Sequence, residues 1–239
     1  MTIILKLFDL THEIPPYNIW EGAYRLYQTA SYWPQGSVFV SVVDPGVGTD
    51  RKSVVLKTKN GQYFVSPDNG TLTLVAESLG IESVRQIDEK TNRLKGSEKS
   101  YTFHGRDVYA YTGAKLSSGH ISFEEVGPEL PVDKILELPV VETIIEDNLV
   151  RGAIDILDVR FGSLWTSITR DDFYALEPNF GDRFEVTIFN NDMLVYQNQV
   201  TYGKSFADVR IGQPIIYINS LYRVGLAINQ GSFAKAYNV

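Results

Sequence analysis

No cysteine occurs anywhere in the 239 residues, and that one absence excludes disulfides, thiolate metal centres and cysteine nucleophiles together. Histidine is scarce as well: with 3 in the chain, any imidazole chemistry has to come from His12, His104 or His120. Long apolar runs are missing, since nothing approaches the roughly 20 residues that a membrane-spanning helix needs, so no membrane partner is expected. No segment concentrates Lys and Arg, and the formal net charge of -7 disfavours a polyanion, which points away from nucleic acid and toward a small-molecule partner. The apolar start over residues 1–10 lacks a basic leader and a small-residue cleavage site, and Asp9 interrupts it. It reads as a strand rather than a signal peptide, and the expected compartment is the cytoplasm.

What is present is a globular composition, 44% hydrophobic, on a chain long enough for two cores. Residues 3–10 read as a strand, and Asn18-Ile19-Trp20-Glu21 has the form of a capping box opening a helix that runs to about Tyr32, before Pro34. The apolar run 37–43 suits a buried strand, followed by a tight loop, Asp44-Pro45-Gly46-Val47-Gly48-Thr49. Strands at 53–56 and 62–65 flank Asn60-Gly61, a strong hairpin signal. Pro67-Asp68-Asn69-Gly70 is a turn into a helix ending near Gly80, a strand follows near 83–87, and a helix runs from the His104 loop to about Leu116. After Leu130 helical periodicity gives way to strands at 149–158, 164–168, 183–189, 193–200, 215–219 and 222–227. The expected fold is an α/β N-terminal domain over 1–140, with a mostly parallel sheet flanked by helices, and an all-β barrel domain over 147–239.

The densest chemistry lies in Phe103-His104-Gly105-Arg106-Asp107, which places an imidazole, a guanidinium and a carboxylate within five residues at the start of a helix. His104 could also be a satisfied histidine beside a helix start, with Asp107 capping it. The Asp44 loop could be no more than a glycine-bearing connection, although the carboxyl ends of α/β strands are where ligands usually bind. Asp68 sits in a string that reads as a turn. Asp9, His12, Asp44, His104 and Asp107 carry enough donors for a metal but no recognised ligand spacing, so no metal site is assigned.

Taken together, Asp9-Leu10-Thr11-His12, the Asp44–Thr49 loop with Arg51, Pro67-Asp68-Asn69-Gly70, Thr102-Phe103-His104-Gly105-Arg106-Asp107, Asp158 with Phe161-Gly162, and Tyr217-Ile218-Asn219-Ser220 closely resemble the S-adenosyl-L-methionine hydroxide adenosyltransferases, relatives of fluorinase and chlorinase. The resemblance runs along nearly the whole chain. It implies an enzyme, an adenosine-forming hydrolase in which water attacks the ribose C5′ of S-adenosylmethionine and L-methionine leaves, without metal or cofactor. It also implies a homotrimer whose active sites lie between the N-terminal domain of one subunit and the C-terminal domain of its neighbour. Residue by residue, it places the water-activating triad at Asp44, Arg51 and His104, with Arg51 holding the water while His104 and Asp44 share acceptance of its proton. The halogenating relatives carry uncharged residues where Asp44 and His104 stand, so a halide nucleophile is disfavoured.

For the substrate, the resemblance implies Tyr17 as an apolar wall, Phe103 as a further substrate-binding residue, Asp158 and Ser220 at the methionine amino and carboxylate groups, and Phe161, Ser163, Phe206, Ile228 and Gln230 around adenine. Ser163 replaces the asparagine usual in the family after Phe-Gly. Family members normally begin with an earlier strand and a loop whose aspartate holds the ribose hydroxyls. Residues 5–12 here align with their second strand, so that aspartate is expected to be absent. Two alternatives follow: a trimer that binds S-adenosylmethionine or adenosine without turnover, and a metal-dependent hydrolase of another small substrate.

Overall fold

In the computed structural model, which describes residues 5–158 and 160–239, Asn18 opens helix α1 (Ile19–Ala30) by accepting the backbone N–H of Glu21 on its side-chain oxygen at 3.0 Å. Glu21 turns to Arg25 at 2.9 Å, one helical turn on. Residues 5–10 form no strand; Leu7 and Phe8 are 89% and 63% exposed. The segment bonds within itself instead, His12 to Asp9 and the Glu13 N–H to Thr11, and Pro15 and Pro16 remove two backbone donors from the stretch that follows. The expected strand at 3–10 is therefore not found over 5–10, and its first two residues lie outside the described ones.

The chain divides into two units between Pro139 and Val140. The first carries β1 (Val38–Val40), β2 (Ser53–Thr58), β3 (Tyr63–Pro67), helix α2 (Thr73–Leu79), β4 (Ile81–Gln86), a π-helical turn (Gly105–Ala110) running into α3 (Tyr111–Ser117), and β5 (Glu129–Leu130). The strand order is β1-β3-β2-β4-β5. Only β1 and β3 pair in parallel; the other three pairings are antiparallel. The mostly parallel sheet expected from the sequence is thus corrected, and the Asn60-Gly61 hairpin is the reason. It folds β2 back beside β3, with Gly61 at φ +77, so that α2 must carry the chain over β2 to reach β4. Leu26, Phe39, Val54, Leu56, Phe64, Val75 and Val84 form the core on one side of this sheet. Val55, Val65, Val108, Tyr109 and Val126 form the core on the other. Two sites of close approach demand glycine: a Cβ on Gly113 of α3 would stand 2.7 Å from a Val40 methyl, and one on Gly105 would stand 2.7 Å from a Val42 methyl.

The second unit contains a small hairpin, β6 (Ile144–Glu146) and β7 (Leu149–Arg151), then β8 (Ile154–Leu157), β9 (Leu164–Thr169), α4 (Arg170–Tyr174), β10 (Arg183–Asn190), β11 (Met193–Tyr202), β12 (Pro214–Ile218), β13 (Arg223–Ile228) and α5 (Phe233–Tyr237). The main sheet has six strands in the order β10-β11-β12-β13-β9-β8. Its edge strands do not pair with each other among the described residues, so the expected closed barrel is an open sheet. The sheet curls because Ile154 from one edge and Phe184, Val186 and Ile188 from the other pack into a single cluster around Leu164, Tyr196 and Phe233. The strand expected at 149–158 is broken at Gly152, where a Cβ would stand 2.6 Å from Ser167 Oγ. Helices α4 and α5, absent from the expectation, are five residues each, too short to show a helical period. Thr169 with Asp172 and Ser232 supply their N-caps. No helix among the described residues is long and apolar enough to cross a membrane.

Candidate active site

After Ser41, whose N–H still reaches Val65 O at 3.0 Å, the chain leaves the sheet, and the Asn69 side chain ties down this departure by donating to Val43 O at 2.8 Å. The Asp44–Thr49 loop then closes on itself through Val47 N–H to Asp44 O at 3.3 Å and Thr49 Oγ1 to Gly46 O at 2.7 Å. Gly48 sits at φ +81 with Tyr101 O only 3.2 Å from where a Cβ would stand, so both dihedral and space select glycine. The loop returns Arg51 to the carboxylate that began it. Arg51 Nε donates to Asp44 Oδ1 at 2.7 Å, and one terminal nitrogen donates to Asp44 Oδ2. The two side chains are 10% and 6% exposed, so this is a buried, bidentate pair.

Two further contacts use the rest of the guanidinium. Its other terminal nitrogen donates to Ser53 Oγ at 3.1 Å, while the nitrogen that binds Asp44 Oδ2 also stands 3.1 Å from His104 Nδ1. The guanidinium lies over the Tyr109 ring at 5.5 Å. Asp44 and Arg51, from one loop, and His104, more than fifty residues on, are therefore in direct contact around one cation. Arginine has only donors and stays charged, so His104 Nδ1 must be the acceptor, and the neutral ring carries its hydrogen on Nε2. That Nε2 is buried and has no partner among the described residues. Burial holds the imidazole below its ordinary value, the Arg51 and Arg93 cations push the same way, and Glu89 and Asp44 oppose them. At neutral pH the ring is uncharged and presents an N–H donor.

The Phe103–Asp107 run is split by the helix start. His104 and Asp107 face inward, 5% and 0% exposed, while Phe103 is 56% exposed with the Arg106 guanidinium 5.0 Å over its ring. Asp107 pairs with Arg106 at 2.6 Å. His12 and His120 are exposed and make local contacts to Asp9 and Ser118. Asp68 accepts the Leu136 N–H at 2.9 Å, and its burial raises its pKa. No group of three His, Cys, Asp or Glu side chains among the described residues is arranged to hold a metal ion. A cleft of about 270 Å³ lies against the backbone of 40–43 that leads to Asp44, with Thr11, His12, Gly22 and Arg25 on its other walls.

A model of the SAM hydroxide adenosyltransferase N-terminal domain matches residues 3–127, and one of the corresponding C-terminal domain matches residues 152–239. The chain belongs to the SAM hydroxide adenosyltransferase family. An (R)-S-adenosyl-L-methionine hydrolase of Methanocaldococcus jannaschii is 44% identical over 70% of this chain; the match spans 56% of that enzyme's length. One from Salinispora tropica is 31% identical over 100% of this chain and 85% of its own. The fluorinase of Actinopolyspora mzabensis is 26% identical over 98% of this chain and 84% of its own. A solved structure, an uncharacterized conserved protein from Thermotoga maritima, superposes with a TM-score of 0.88 at 34% identity, covering 98% of this chain and 86% of that one.

In this chain the positions expected to bind substrate are far less enclosed than Asp44, Arg51 and His104. Tyr17 is held at φ +70 and is 78% exposed. Phe161 is 72% and Phe206 46% exposed, the latter edge-on to Tyr217 at 5.0 Å. Asp158 caps a turn by accepting the Arg160 N–H at 3.1 Å, and Ser163, buried, returns its carbonyl to the Asp158 N–H at 2.8 Å. Ser220 is exposed beside Asn219, whose Oδ1 accepts two backbone N–H groups while its Nδ2 stays buried without a partner among the described residues. Ile228 and Gln230 lie in the turn closed by Gly231 N–H to Ile228 O at 3.0 Å. Ser53, Glu89 and Tyr109, which the sequence did not single out, contact the triad or each other. Ser53 had a weak signal, standing two residues past Arg51 in a strand; the other two had none.

Proposed function

We propose that this chain hydrolyses S-adenosyl-L-methionine to adenosine and L-methionine. The observation that carries the reading is one buried guanidinium shared by a carboxylate and an imidazole. Water is a weak nucleophile until its proton has somewhere to go. Water oxygen bonds to C5′, the C5′–S bond breaks with its electron pair left on sulfur, and the water proton passes to Asp44, which keeps lone pairs beyond those Arg51 uses. Arg51 stabilises the hydroxide character of the oxygen, and His104, accepting from Arg51 on Nδ1, holds the guanidinium in place. In this tautomer both His104 nitrogens are occupied, Nδ1 by the Arg51 hydrogen and Nε2 by its own, so the proton falls to Asp44 rather than being shared between the two. Hydroxide character meeting a sulfonium cancels charge in the transition state, and a buried site favours that. The Asp44 carboxylate disfavours a halide in the same place.

The donor set has a cation at its centre already, and the Arg51 charge would repel a divalent ion approaching Asp44, which supports chemistry without a metal or cofactor. Asp158 and Ser220 would hold the methionine end of the substrate, and Phe161, Ser163, Phe206, Ile228 and Gln230 its adenine, with Tyr17 and Phe103 walling the sugar side. The same proposal takes in a cytoplasmic location and a homotrimer with interfacial sites, the trimer supported by large aromatic rings left open to solvent at Tyr17, Phe161 and Phe206.

The test is to incubate the protein with S-adenosylmethionine in ¹⁸O-water, with and without a chelator. Equal amounts of adenosine and methionine, with label only in the adenosine and no effect of chelator, are expected. Binding heat without products would overturn hydrolysis in favour of capture, and loss of products with chelator would overturn the metal-independent route.

A further inference from the structure

Hydrolysis of a sulfonium by water releases one proton per turnover, and Asp44, which receives it, is 6% exposed. A route outward runs through three side chains. Tyr109 Oη lies 3.4 Å from Asp44 Oδ2, Ser53 Oγ lies 3.3 Å from Tyr109 Oη, and Ser53 Oγ donates to Glu89 Oε1 at 3.1 Å. Tyr109 and Ser53 are 0% and 3% exposed, whereas the Glu89 side chain is 36% exposed. Its second oxygen accepts Arg93 at 3.1 Å, and Arg93 is fixed in turn by Ser97 Oγ at 3.1 Å and Ser100 O at 2.7 Å. The chain of groups thus begins at the buried carboxylate of the triad and ends at a carboxylate that meets solvent.

We propose that Tyr109, Ser53 and Glu89 form a proton exit from Asp44; the assignment rests on the hydrolase reading above. With Asp44 ionised, Tyr109 donates to it. Once Asp44 has taken the water proton, the polarity reverses. Asp44 gives its proton to Tyr109 Oη, Tyr109 gives its own to Ser53 Oγ, and Ser53 gives its own to Glu89 Oε1. Each hydroxyl loses one proton and gains one, and Glu89 releases the surplus to solvent. Burial raises the Tyr109 pKa, so the phenol stays protonated and passes protons without resting as phenolate. Arg51 keeps its contact with Ser53 throughout, which fixes the Ser53 oxygen in line.

The experiment compares the full chain with Tyr109→Phe and Glu89→Gln, following adenosine formation together with thermal melting. Tyr109→Phe keeps the ring on which Arg51 packs and removes only the hydroxyl. Both variants are expected to lose roughly tenfold to a hundredfold in kcat with KM unchanged, and to recover rate as formate or imidazole is added, because a small acid-base pair replaces the missing link. A merely structural role would not give buffer rescue. Unchanged kcat in either variant would overturn the relay, as would a loss that no buffer restores. A wild-type chain that forms no adenosine would overturn the hydrolase reading itself, an outcome distinct from wild-type turnover with indifferent variants.

Discussion

Asp44 in the N-terminal unit and Asp158 in the C-terminal unit show two ways of placing an aspartate. Asp44 is nearly enclosed, chelated by Arg51 and within reach of Tyr109. Asp158 accepts a backbone N–H in a turn and stays partly open. The contrast holds for the company each keeps. Around Asp44 the charged side chains bond to one another, so their geometry is fixed by one unit alone. Around Asp158 the residues assigned to substrate, Phe161 and Phe206 above all, present themselves to solvent. On the proposed roles, the reacting groups are preorganised before anything binds, while the binding groups would acquire their surroundings only with substrate and, in the proposed trimer, a neighbouring subunit.

Breaking the enclosed half should have the largest effect. Arg51→Met leaves Asp44 buried without its cation and is expected to cost about 3–5 kcal/mol, read by urea unfolding, along with essentially all turnover. Adding Asp44→Asn should restore stability and leave activity lost; a double variant no more stable than the single would show that the pair does not carry the cost. His104→Ala should lower kcat by about 10²–10³ with little change in melting. The wild-type acid limb sharpens this further. Because burial lowers the imidazole pKa, the neutral donor persists below its ordinary value near 6.5, so the rate should stay flat as pH falls to that point and decline only beneath it. A limb centred above 6.5 would contradict the tautomer assigned to His104.

Much of this contrast was legible in the sequence, and its gaps have physical causes. The hairpin at Asn60-Gly61 and the cap at Asn18 are local, fixed by a few residues; the hairpin appears as read, and the cap keeps the Asn18 half of the box while Glu21 turns to Arg25. The Asp44 loop could be read because glycines mark its turns, and its link to His104 followed from family resemblance rather than from spacing. Sheet direction was misjudged because parallel or antiparallel pairing depends on where the chain returns, which no strand's own pattern records. Tyr109 and Glu89 were invisible for a related reason. A tyrosine on an apolar helix face and a glutamate after a strand look ordinary until folding brings them within reach of Ser53.

The open half should answer with binding rather than rate. Phe206→Ala, at an exposed ring expected to face adenine, should weaken the substrate by about 1–3 kcal/mol, raising KM some tenfold by that measure while kcat holds. A fall in kcat at unchanged KM would place this ring in the enclosed half instead. The smallest expected effect comes from Asp155 in β8, whose carboxyl burial pushes up to about 6 against the opposing pull of Arg223. Here the folded chain holds the proton more tightly than the unfolded one, so Asp155 supports stability fully at pH below about 3.9. It loses that support as pH rises through about 6. Asp155→Asn removes the penalty of the charged form, so the variant should match wild type near pH 4 and exceed it at pH 7. About 1 kcal/mol is expected after discounting for partial solvent screening. Paired urea melts at the two pH values read the difference, and a gain of equal size at both would mean that shape rather than charge is what Asp155 costs. Asp44, buried more deeply but chelated, should show no such gain on Asp44→Asn, because removing its charge strands Arg51. The two aspartates thus separate a carboxylate whose charge the fold sustains from one whose charge its burial penalises.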